Sequence, residues 1–441
     1  MSGQSSASGA PQTTPATAPE VTTATTSDSR QDGGSGSAES TTAKPTLTPA
    51  PVPPEAATAV SPVAESTAAV PTTVEPTTAG PSTAEPTTAG PTTAGPSTAE
   101  AATAPTPSAL PQNILPASHW AQAPPVDNDD VDSAYGDDNA SSTASLSASI
   151  LEYRTVHGRT FHSERGNAQS WNPNDAQHEE TMDILHHVST LLQDGKLTLA
   201  RIDDNVQKVL DVGCGTGIWP IDFADQYPNA EVIGVDISPQ QPQWIPPNLK
   251  FEIDDVTQPW TYEPDSFDYI HMRWLVGAIP DWYALFREVF RALKPGGTFE
   301  SKESSCMIQA DDGTCPQGCA LDQWGRVFWE AGKRFGRTFR VVEDDVQKKA
   351  MEAAGFVDIQ VVNLKTPLGP WPADPKQKEI GQYNRLALEQ DIEGFIVYMW
   401  TTIMGWSIEE VSVYAAHLRR ELRSPNFHAY YPQRVVIGRK P

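Results

Sequence analysis

The chain has 441 residues, a formal net charge of −25 and four cysteines. An acid surplus of this size argues against non-specific affinity for nucleic acid, which needs Lys and Arg to neutralise phosphate, and four cysteines in so long a chain do not make a disulfide framework. No run approaches the roughly 18 apolar residues of a membrane span, and the opening M-S-G-Q-S-S-A-S-G-A has neither a basic n-region nor an apolar h-region, so an intracellular protein, nuclear or cytoplasmic, is expected.

Residues 1–147 are mostly Thr, Ala, Pro and Ser, with 15 acids against 2 bases. Pro71 to Glu100 is six pentads of the type P-T-T-A-G or P-S-T-A-E. Such a composition buries too little apolar surface to offset its ordering entropy and predicts a disordered acidic tail with polyproline II character. Two patches stand apart, Ile114 to Trp120 and the acidic cluster Val126 to Asp138. Either could dock, although a spacer is the plainer reading of both. Residues 148–441 have the length and apolar content of one large single-core domain.

The domain opens with Y-R-T-V-H-G-R-T-F-H at 153–162, followed by a helical pattern from Asn174 to Leu192. His157 and His162 are candidates for closing over a ligand, against the commoner role of structural hydrogen bonding. Val209 to Asp236 then reads strand, glycine turn, helix, strand, acid, which is half of a nucleotide-binding α/β sheet. Gly213, Gly215 and Gly217 let the backbone pass close under a ligand. The free N–H groups that open the helix at Ile218 face that ligand. Asp236 ends the second strand, where a carboxylate can take both hydroxyls of a ribose.

The spacing separates cofactors. A dinucleotide fingerprint is G-x-G-x-x-G, whereas here Ile218 takes the sixth place. Asp211 precedes the first glycine by two residues, where it would repel a pyrophosphate but suits an ammonium group. D-V-G-C-G-T-G resembles the first motif of class I S-adenosylmethionine-dependent methyltransferases without a mismatch. Leu249 to Ile253 reads as a third strand ending in Asp254-Asp255-Val256. At this place the resemblance implies an acid for the adenine amino group, Asp255 before Asp254, and the next backbone amide, Val256, for the ring.

Further elements follow in order: strand Phe267 to His271, helix Trp282 to Leu293, the turn Lys294 to Gly297, and strand Thr298 to Glu300. A Cys/Gly-rich loop leads into a helix around Trp324, Phe328 and Trp329. Cys315-x-x-x-Cys319 has no second Cys/His pair at ligand spacing, so no metal site is expected. The cluster Lys333-Arg334-x-x-Arg337-x-x-Arg340 reads as a solvated helix face. A helix from Asp344 to Ala354, a strand from Phe356 to Leu364, a helical insertion from Pro367 to about Arg423 and a last strand at Val435 to Gly438 complete the chain. The expected fold is a Rossmann-like α/β sheet of seven strands with one antiparallel edge strand, its Trp/Tyr-rich helical insertion lying over the ligand-binding strand ends.

More particular segments sharpen the likeness. I-S-P-Q-Q-P-Q-W-I-P-P-N at 237–248, F-D-Y-I-H-M-R at 267–273, P-L-G-P-W-P at 367–372 and H-A-Y-Y-P-Q-R-V-V-I-G-R-K-P at 428–441 make the domain resemble the fungal LaeA-type methyltransferases. The resemblance covers nearly everything from Leu151 onward; the tail matches no family pattern. It implies S-adenosylmethionine as cofactor, and a methyl acceptor that is either a small secondary metabolite or a protein. It also leaves open a cofactor-binding regulatory subunit of a nuclear complex with velvet-type proteins. His271, with Arg273 two residues on, is the expected base or orienting group, set against a plain role at the rim of the cofactor pocket.

Overall fold

The computed structural model describes residues 111, 113–122, 153–163 and 170–441. The pentad array and the acidic cluster around Tyr135 lie outside the described residues, as does most of the stretch expected to be disordered. A short helix α1 (Ala117–Ala121) precedes a hairpin of β1 (Arg154–Val156) and β2 (Arg159–Phe161). Helix α2 (Ala176–Leu192) starts on Asp175, whose carboxylate accepts from the His178 N–H. Strands then alternate with helices: β3 (Lys208–Val212), α3 (Ile218–Gln226), β4 (Glu231–Asp236), β5 (Leu249–Ile253), β6 (Phe267–Arg273), α4 (Trp282–Ala292) and β7 (Leu293–Ser304). After α5 (Ala320–Phe335), α6 (Val346–Ala354) and β8 (Val357–Pro367), the chain makes α7 (Pro375–Gln390), α8 (Ile392–Val397), a π-helical turn (Tyr398–Ile403) and α9 (Ile408–Arg423). It returns as β9 (Tyr430–Arg439).

The seven-stranded sheet has the order β5-β4-β3-β6-β7-β9-β8. Five neighbours from β5 to β7 run parallel. The one reversed strand is β9, antiparallel to both β7 and β8, so the reversal sits one place in from the edge. Both faces of the central strands are covered, and β3 and β6 accordingly read as nearly unbroken buried runs. Leu210, Ile233, Ile270 and Phe299 point into the larger core. Their alternates Val209, Val232 and Tyr269 join Trp219 and Phe223 on the other face. Helix α4 shows why the covering helices form. Asp281 caps it through the Ala284 N–H at 2.9 Å, and Leu285, Phe286 and Val289 recur at helical spacing on its buried side. Burial of each is worth about 1.5–3 kcal/mol.

The insertion between β8 and β9 packs by aromatic contact. Trp400 meets Phe328 of α5 at 4.8 Å between ring centroids and Tyr414 of α9 at 5.8 Å. The Ile114–Trp120 patch, for which a spacer was the plainer expectation, is docked onto this layer. Trp120 is buried edge-on to Tyr414 at 5.1 Å, Ile114 is buried beside it in the same core, and the Leu115 N–H donates to Gln323 Oε1 at 2.8 Å. Residues 113–122 thus belong with the folded unit, and its boundary at residue 148 is corrected accordingly.

Candidate active site

The glycine turn adopts the backbone its spacing predicts. Gly213, Gly215 and Gly217 have φ of 69°, 56° and 82°, the left-handed region that L side chains rarely enter. A Cβ on Gly213 would lie 2.5 Å from Leu275 Cδ2, and one on Gly217 2.5 Å from Phe251 Cζ. A Cβ on Gly215 would meet nothing within 4 Å. The first and third glycines are therefore closely packed, against Leu275 and Phe251, and the middle one faces open space. Gly215 lines a cavity of about 1130 Å³, open solvent at its mouth included, at the carboxyl ends of β3, β4, β5 and β6. Helix α3 begins beside it at Ile218 with no side-chain cap on its first turn.

Asp236 lines the cavity and ties the turn to β4, its carboxylate accepting from Gly215 N at 2.8 Å and Ser238 N at 2.9 Å. Burial raises its pKa, against the pull of those N–H donors. Asp254, Asp255 and Val256 line the cavity one strand further on. Asp255 is half-buried and accepts from Thr257 N and Oγ1 at 2.9 and 2.6 Å, whereas Asp254 is exposed and accepts from the next backbone N–H at 2.8 Å. The turn, Asp236 and Asp254–Val256 line one side of the same cavity.

Asp211 and the expected base fall elsewhere. Asp211 is buried behind the turn, its Oδ1 2.7 Å from His271 Nδ1. The His271 ring is 1 % exposed and stacks on Trp219 with centroids 3.8 Å apart and planes 9° apart. It does not line the cavity. The expectation that an acceptor approaches His271 is corrected on that geometry: β6 runs on to Arg273, so His271 sits within the sheet, opposite Asp211. Arg273 does line the cavity, its guanidinium 4.5 Å over the Trp274 ring. Burial brings its pKa down to about 10, opposed by Asp211, Asp222 and Asp183. Of the two residues expected to act together, Arg273 lines the cavity and His271 does not. His157 is exposed at the hairpin turn; His162 is buried, 3.3 Å from Ser238 Oγ, its pKa lowered by burial and by Arg154.

The opposite wall holds what sequence spacing does not reveal. Asn172, Asn174, His178 and Met182 line the cavity from above. His178 Nδ1 lies 2.7 Å from Asp391 Oδ2, and Asp391 also accepts from Arg159 Nη1 at 2.6 Å. Arg159 in turn pairs with Asp175 at 2.6 Å. Burial would raise the Asp391 pKa, but the bonds from His178 and Arg159 outweigh it and hold the carboxyl below its usual range. Thr216 Oγ1 donates to Asp183 at 2.8 Å and fastens α2 to the glycine turn.

A second cavity of about 870 Å³, mouth included, adjoins the first and shares Trp171, Asn172, Met182 and Trp274 with it. Its remaining wall is mainly apolar, with Leu185, Val276, Ile308, Phe328, Leu388 and Phe395. The strip between the cavities, Trp274 to Val276, hangs on Glu303, which accepts from Leu275 N at 3.0 Å and Val276 N at 2.9 Å. Burial pushes the Glu303 carboxyl up to about 8, against those two bonds. Among the described residues no group of three or more His, Cys, Asp or Glu gathers for a metal, and no helix is long and apolar enough to cross a membrane.

A methyltransferase-domain model matches residues 184–361. The methyltransferase pytC of Aspergillus terreus is 35% identical over 305 residues, covering 69% of this chain and 93% of that protein. The secondary metabolism regulator LAE1 of Cochliobolus heterostrophus is 35% identical over 291 residues, covering 65% and 94%. The secondary metabolism regulator laeA of Aspergillus fumigatus is 31% identical over 319 residues, covering 70% and 82%. The chain belongs to the LaeA-type fungal methyltransferases and is an S-adenosylmethionine-dependent enzyme.

Proposed function

We propose that the first cavity seats S-adenosylmethionine along its sheet wall, for methyl transfer to a small secondary metabolite or a protein side chain. Gly213, Gly215 and Gly217 pass beneath the methionine moiety, Asp236 takes the ribose hydroxyls, and Asp255 with Asp254 and the Val256 amide take the adenine. Arg273 faces the carboxylate, as a cavity-lining cation whose described contact is the Trp274 ring. Asp211 and its partner His271 act from behind the turn as positioning residues. They hold a negative field under the ammonium group without touching it. The cavity lined together by the glycine turn, Asp236 and Asp254–Val256, with open space over Gly215, is the observation that carries this reading.

The bound cofactor supplies a methyl group on a sulfonium, which leaves as a neutral thioether and needs no acid. The protein's task is to align acceptor, methyl and sulfur, and positioning of that kind can be worth roughly 7–11 kcal/mol. Calorimetry of the full chain with S-adenosylhomocysteine tests the reading: a one-to-one binding isotherm is expected, and its absence would overturn it. Labelled cofactor with a fungal extract then shows whether label enters small molecules or protein. The relatives named as secondary metabolism regulators support a second role, as a nuclear subunit acting through velvet-type proteins. Recovery of a velvet-domain protein with the tagged chain would favour it, and a purely cytoplasmic tagged chain would remove it.

A further inference from the structure

The helical wall contains three side chains whose polar atoms are buried and unpartnered among the described residues: Asn172 Oδ1, both amide atoms of Asn174, and His178 Nε2. All three line the cofactor cavity. His178 is 4 % exposed, and its ring lies edge-on to Phe395 at 5.1 Å. Phe395 belongs to the apolar chamber, so His178 stands at the junction of the two cavities. The groups around it orient it. Asp391 takes Nδ1, Arg159 and Asp175 hold Asp391 and the helix start, and the His178 backbone N–H donates to Asp175. A carboxylate can only accept, so Nδ1 carries a proton, and in the neutral imidazole Nε2 then offers a free lone pair. This is the arrangement of a general base oriented by a third group.

We propose that the apolar chamber receives an aromatic or otherwise apolar acceptor bearing a hydroxyl group, and that His178 Nε2 takes the proton from that hydroxyl. The inference rests on the cofactor reading above and narrows its acceptor to a small apolar molecule. The acceptor's O–H bond breaks, with its proton passing to Nε2 and its electron pair staying on oxygen. That oxygen forms the new C–O bond while the C–S bond breaks and its pair returns to sulfur. The imidazolium so formed is balanced by Asp391. Asn172 and Asn174 supply polar atoms to the same junction, where an oxygen has to be held on the boundary between a polar cavity and an apolar one.

The test uses 4-nitrophenol, whose phenolate has its own absorption band, with the full chain saturated in S-adenosylhomocysteine, at about one unit below the probe's own pKa. The native protein is expected to bind the probe as phenolate, raising its apparent acid dissociation constant about tenfold or more. His178→Gln is expected to bind it within a few-fold but as neutral phenol. Leu388→Arg, which fills the chamber, is expected to abolish probe binding while S-adenosylhomocysteine still binds. No probe binding to the native chain, or the same spectrum in native and His178→Gln, overturns the inference while leaving cofactor binding intact. Loss of S-adenosylhomocysteine binding by the native chain would instead sink the cofactor reading and this inference together.

Discussion

The two walls of the cofactor cavity are built by opposite means. The sheet wall comes from one continuous stretch of chain, Gly213 to Val256, and its geometry is set by backbone conformations that only certain residues adopt. The helical wall joins residues that are far apart, His178 and Asp391 being 213 positions apart, and is held by buried charge pairs. A wall of the first kind is specified position by position. A wall of the second kind exists only once the fold has closed, and its cost of failure is an unpaired charge.

Breaking the charged wall should have the largest effect. Asp391→Ala strands a buried His178 and half of the Arg159 pairing, and loss of one partner of a buried pair costs about 3–5 kcal/mol. The lower end is expected because Asp175 still holds Arg159. A urea midpoint unchanged by the substitution would show that the pair does not hold the wall. Gly217→Val comes next. Its left-handed φ costs about 1–2 kcal/mol and overpacking against Phe251 about 1–3 kcal/mol more, so both stability and cofactor binding should fall. Gly215→Ala separates the two: only the conformational strain of about 1–2 kcal/mol applies, since nothing lies within 4 Å of the new methyl. Calorimetry should nevertheless show S-adenosylhomocysteine affinity reduced at least about tenfold, 1.4 kcal/mol in free energy. Native affinity in that variant would mean the ligand does not cross Gly215.

The last effect is a slope with pH at the strip between the cavities. Glu303 has a folded pKa raised to about 8 above an unfolded value of about 4.3. Its stabilising contribution is complete below about pH 4.3 and is lost as pH rises through about 8, by at most about 1.4 kcal/mol per pH unit. Glu303→Gln cannot ionise, so its stability relative to the native chain should climb between pH 5 and pH 8. Urea midpoints that keep a constant difference across that range would show that Glu303 stays charged in the fold.

These contrasts also explain what could be read in advance. The alternation of strands and helices, the glycine turn, Asp236 and the acid pair were legible because each is a local pattern tied to a backbone requirement. The helical insertion and its placement before β9 were legible from periodicity. His271 was legible as a strand residue near the ligand, but whether a strand side chain faces the cavity or the sheet interior depends on where the strand stops. It stops two residues later, and the alternation places His271 on Asp211 and Trp219. His178, Asp391 and Arg159 carried no signal, because no spacing links a helix start, a hairpin and the head of α8. Glu303 was hidden for the same reason, as its partners are two backbone N–H groups across the sheet.

The docked Trp120 bears on how the enzyme can be shortened for study. A fragment begun at residue 148, where the composition changes, would lose Ile114 and Trp120 and leave Tyr414 and its aromatic neighbours facing water. Exposed apolar patches of that kind promote self-association, so a soluble, monodisperse fragment should start ahead of Asn113.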